Sequence, residues 1–75
     1  MSLRKDLAKE INILEMEMRE LESKRSRSMA ALMEALVSKR EPEETELRFF
    51  RQFSAEIEVK REKLIELTEQ LKNLI

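Results

Sequence analysis

Leu7, Ile11, Leu14, Met18 and Leu21 recur at steps of 4, 3, 4 and 3 residues. No other feature of the chain constrains its fold as much. At 3.6 residues per turn, this spacing sets five apolar side chains along one stripe of an α-helix, and a second helix must cover that stripe. The stripe then meets the polar stretch Ser23-Lys24-Arg25-Ser26-Arg27-Ser28 and resumes at Met29, Leu32 and Leu36. Read this way, Arg25 occupies the seam between Leu21 and Met29, and the two four-residue steps across it form a stutter that locally relaxes a left-handed supercoil. One helix over about residues 4–38 is expected. A true break, with Ser26 or Ser28 capping a short further helix, is the alternative.

Pro42 is the one strong punctuation mark. It lacks a backbone donor and clashes with a preceding helical turn, so it suits the first turn of a helix and disrupts an interior. Glu43, Glu44 and Glu46 follow it, where the positive end of a helix dipole favours acids. Lys39 and Arg40 precede it, where a helix C-terminus favours bases. A turn at residues 39–42 is expected, then a second helix over about residues 43–74. Its stripe reads Leu47, Phe50, Phe53 or Ser54, Ile57, Lys60 or Arg61, Leu64, Leu67, Leu71 and Leu74.

The two stripes fit an all-α, antiparallel two-helix hairpin of a single domain. Leu7 pairs with Leu74, Ile11 with Leu71, Leu14 with Leu67, Met18 with Leu64, and Leu21 with Lys60. The series continues with Arg25 and Ile57, Met29 and Phe53, Leu32 and Phe50, and Leu36 and Leu47. The two residue numbers in each pair add to a nearly constant value centred on the turn. Two heptad stripes keep a constant value anywhere, so the informative part is the centring. Arg25 and Lys60 then form a polar layer in the seam, with Glu22, Glu56 and Glu58 in reach, a device that fixes register in coiled coils.

The apolar residues near the turn spread beyond one seam. Met29, Leu32, Met33, Leu36 and Val37 crowd the first arm, and Leu47, Phe49, Phe50 and Phe53 crowd the second. A two-helix seam needs a narrow stripe and a bundle needs a wider one, so these nine residues are the candidate interface. Phe49 lies about 100° of rotation from Phe50, on a flank that only another chain covers. The expected assembly is a homodimer forming a four-helix bundle, or packing against helical segments of another protein.

Composition narrows the function. Charged and hydrophobic residues each make up 41% of the chain, with no Gly, the profile of long helices and coiled coils. The missing Gly argues against turns that need positive φ and against phosphate-cradling loops. With no His and no Cys, the usual general base, the thiolate nucleophile and most transition-metal ligand sets are gone, so no catalysis, cofactor or metal site is expected. The carboxylate pairs around Glu17 and Glu20, and around Glu62 and Glu66, stand among Lys and Arg with nothing to perturb them.

Net charge is −1, and even the most basic stretch, residues 24–51, carries seven basic against five acidic groups. That is a weak footprint for nucleic acid. No apolar run approaches the length that spans a bilayer, and a cytoplasmic location is the default expectation.

In architecture alone, the expected hairpin is similar to the plasmid RNA-regulating hairpin Rop and to small helical export chaperones, with no motif shared residue by residue. The reading is a small interaction module, an adaptor, assembly factor or export-type chaperone. A dimeric nucleic-acid-binding regulator of Rop-like architecture, using Arg19, Lys24, Arg25 and Arg27 on an outer face, is the second reading. A coiled-coil fragment of a longer structural protein is the third.

Overall fold

The computed structural model describes residues 2–74. It consists of two helices, α1 (Leu3–Val37) and α2 (Glu44–Asn73), joined by a six-residue turn from Ser38 to Glu43. The helices lie side by side and antiparallel in a rod of 56 × 16 × 15 Å. Its radius of gyration is 16.9 Å, against about 11 Å for a compact globule of this length. The fold is an all-α hairpin, and no strand occurs among the described residues.

α1 runs unbroken through Ser23–Ser28, so neither Ser26 nor Ser28 caps a new helix. The expected stutter is also absent. Leu7, Leu21, Ser28 and Ala35 are buried at multiples of seven residues, with Leu14 half-buried between them and Ile11, Met18, Arg25 and Leu32 completing the stripe. The heptad therefore continues without interruption, and its turn-end positions are filled by Ser28 and Ala35. Met29 and Leu36, assigned to the seam from sequence, are exposed on its flank instead. Hydrophobicity had outweighed spacing in that assignment. Small residues in a seam let two backbones approach closely, which leaves larger neighbours no room inside.

The turn corrects a second expectation. Lys39 adopts a left-handed conformation, φ 57°, in a chain without Gly. The Arg40 amide donates to the Ala35 carbonyl at 2.8 Å, and the Lys39 amide donates to the Leu36 carbonyl at 3.1 Å. These are the two bonds of a Schellman motif, which satisfies the orphan carbonyls at the end of α1. Saturating those acceptors outweighs the cost of placing a β-carbon at positive φ. Lys39 and Arg40 thus lie just past α1 and not in its last turn, which holds no basic residue.

Pro42 also sits outside the helix it precedes. Glu43 is the N-cap of α2, extended at φ −65° and ψ 137°, with no side-chain cap bond. Pro42 and Leu47, both half-buried, occupy the two positions of a hydrophobic staple.

Ile57 is the one large side chain fully buried among the described residues. It clusters with Met18 and Leu21, against which Phe53 and Leu64 pack. The expected pairing set Ile57 opposite Arg25 and Lys60 opposite Leu21. Instead Ile57 meets Leu21 and Met18, and Lys60 reaches Glu17. The register is displaced by about half a heptad, the shift that exchanges the two core positions of the repeat on one helix.

Candidate interaction surface

Lys60 is the one seam cation held across the hairpin by an ion pair among the described residues. Its Nζ donates to Glu17 Oε2 at 3.0 Å, both side chains being partly solvated. A pair this wet contributes less than about 1 kcal/mol, and its role is to orient the two helices. The acids expected beside it are engaged elsewhere. Glu58 accepts from Arg61 at 3.1 Å and Glu56 accepts from Gln52 Nε2 at 3.4 Å, each within α2. Arg25 is half-buried on the seam with no ion pair, its stem beside Ser26, Met29, Ala30 and Met33 in a shallow groove.

The seam leaves two long edges. Along one, Glu10 and Glu17 of α1 run beside Lys63 of α2, and Lys24 runs beside Glu56, a run of opposite charges lining two shallow grooves. Helical rotation places Phe49 on this same edge. Its ring stacks on Phe53 with centroids 6.0 Å apart and planes 16° from parallel, yet it remains 42% exposed. The opposite edge carries Met29, Met33 and Leu36 of α1, with Leu47 of α2 beside them.

The nine candidate interface residues therefore do not form one patch. Leu32, Phe50 and Phe53 are half-buried on the seam, Phe49 lies on the charged edge, and Leu47 is half-buried on the other. Met29, Met33, Leu36 and Val37 are exposed, the last two at 65% and 82%. Sequence reasoning did not single out Ile13, Met16, Val59 and Ile65, which are also exposed. Ile13 and Met16 are neighbours on one face of α1, and Val59 and Ile65 lie on α2.

Arg19, Lys24, Arg25 and Arg27 do not share an outer face. They point in different directions around α1, with Arg19 held by Glu15 at 3.7 Å and Lys24 on the charged edge. No group of three or more acidic side chains among the described residues could hold a metal ion. No described helix is long and apolar enough to cross a membrane. Compared with known proteins, the chain matches no family model, no curated protein and no solved structure.

Proposed function

We propose that this chain is a non-catalytic helix-packing module, an adaptor, assembly factor or export-type chaperone in kind, whose turn half associates with further helices. One observation carries the reading: the hairpin leaves its surface unfinished. Its accessible area is 6174 Å², whereas a compact monomer of 9.0 kDa exposes about 4,900 Å². The surplus of roughly 1,300 Å² exceeds the ~800 Å² that each partner contributes to an ordinary stable interface. In the turn half Met29, Met33, Leu36 and Val37 are exposed, and methionines suit a surface that adapts to a partner.

Mass action supplies the test. If association completes the core, the melting temperature rises with protein concentration and sedimentation equilibrium gives a species heavier than one chain. A fully helical single chain of 9.0 kDa at micromolar concentration, with a melting temperature independent of concentration, counts against the reading. The nucleic-acid reading has less support, since the four basic side chains it needs diverge. Titration with generic RNA and DNA at low salt separates the two, because phosphate binding weakens steeply as salt rises.

A further inference from the structure

Residues 23–33 of α1 and 47–55 of α2 contain no acid and together carry Lys24, Arg25, Arg27, Arg48 and Arg51. They are distant in sequence and lie at the same height of the rod, so that their cations ring it: Lys24 and Arg27 toward the charged edge, Arg51 toward the edge that carries Leu47. The adjoining turn end, residues 34–46, holds five glutamates against Lys39 and Arg40. A positive belt thus abuts a negative tip, and the exposed apolar edge of Met29, Met33 and Leu36 bridges the boundary. On the edge that carries Leu47, the exposed members of belt and tip are Arg51 and Glu44, a pattern complementary to its own copy turned through 180°, the relation that an isologous dimer uses.

We propose that a second copy of this chain docks on that edge, about a two-fold axis crossing α2 at Leu47, with Glu44 of each copy against Arg51 of the other. The proposal rests on the helix-packing reading and commits it to one occupant. Glu44 and Arg51 are one heptad apart on the same side of α2, about 10.5 Å along its axis, with Leu47 between them. A two-fold axis at Leu47 exchanges the two positions. Both side chains are exposed, and neither enters an ion pair among the described residues. Leu47 and the exposed apolar edge supply the dry centre. An acidic helix from another protein would satisfy the belt but leave the glutamate tip unmatched, and nucleic acid would be repelled by the tip. A second copy pairs Glu44 and Arg51 of this edge at once.

Charge reversal decides between these occupants. Sedimentation equilibrium should find the wild type as a two-chain species at micromolar concentration. Arg51→Glu and Glu44→Arg should each weaken association roughly tenfold or more, because every contact occurs twice and becomes a like-charge pair. Circular dichroism monitors helix content, which both exposed substitutions should preserve. Mixing the two variants one to one should restore the two-chain species, since reversed charges then meet across both contacts. A dimer indifferent to both reversals, or single variants that weaken but do not rescue each other, overturns this interface while the helix-packing reading stands. A wild type that stays a single chain, with either an acidic helical peptide or RNA bound to the belt, overturns the self-docking proposal in favour of that occupant. A single chain that binds neither overturns the proposal and the helix-packing reading together.

Discussion

The open half of the hairpin and its turn half solve the same packing problem in opposite ways. In the open half, Leu7, Met18, Leu21, Ile57 and Leu67 are buried, so large aliphatic side chains from both helices fill the seam. In the turn half, the buried positions of α1 belong to Ser28 and Ala35, while Met29, Met33, Leu36 and Val37 stand in water. α2 brings Phe50 and Phe53 to the same stretch of seam, so small residues on one helix face large ones on the other. The open half thus fills its seam with large side chains, whereas the turn half fills it from one helix and leaves the large side chains of the other exposed.

If the open half holds the fold, truncating its centre must cost most. Ile57→Ala should destabilise the protein by about 2–5 kcal/mol, the transfer and cavity cost of a buried large aliphatic residue, as measured by urea denaturation. A loss below ~1 kcal/mol would mean that the seam is not where stability resides. The next effect tests the small seam of the turn half. Ser28→Leu should cost about 1–3 kcal/mol by overpacking, although it replaces a polar residue with an apolar one on a helix. Stabilisation instead would show that the seam at residue 28 has room for a large side chain.

A third, smaller effect concerns the turn. Lys39→Gly should stabilise by about 1 kcal/mol, raising the melting temperature by roughly 4–8 °C, because Gly holds φ near 57° without a β-carbon penalty. An unchanged or lower melting temperature would show that the left-handed residue is not the strained point. The smallest effect on the hairpin itself is expected at Leu36. Leu36→Ser should leave the dilute protein within about 0.5 kcal/mol of wild type, yet remove the rise in melting temperature with concentration. Equal losses at all concentrations would place Leu36 inside the hairpin after all.

The candidate surface was legible as an excess of apolar residues near the turn but not as a shape. Counting Met29, Met33, Leu36, Val37 and Phe49 shows that one seam cannot hold them all. Assigning each to a side requires knowing that Ser28 and Ala35 take the seam, and hydrophobicity ranks those two below the Met29 and Leu36 beside them. Phe49 and Met29 seem neighbours when the chain is read toward the turn, yet the antiparallel arrangement sends them to opposite edges. The basic belt was hidden for a similar reason. Residues 24–51 read as nearly balanced because the glutamates of the turn lie between its two halves in sequence and beyond them in space.

By itself, the sequence determined what local forces decide. Heptad spacing without an internal Gly or Pro makes two helices, and Pro42 with its flanking charges ends one and begins the other. The tertiary structure decided register, because sliding one heptad stripe by half a repeat only exchanges one core position for the other and leaves the apolar pattern equally matched. Closure of the turn chose between those registers. The bonds from Arg40 to Ala35 and from Lys39 to Leu36 lock the end of α1, and that end sets which residues of α2 come to lie opposite Leu21 and Met18. The unbroken heptad of α1 put Ser28 inside and Leu36 outside, since a side chain's burial follows from the face it occupies and not from its own hydrophobicity.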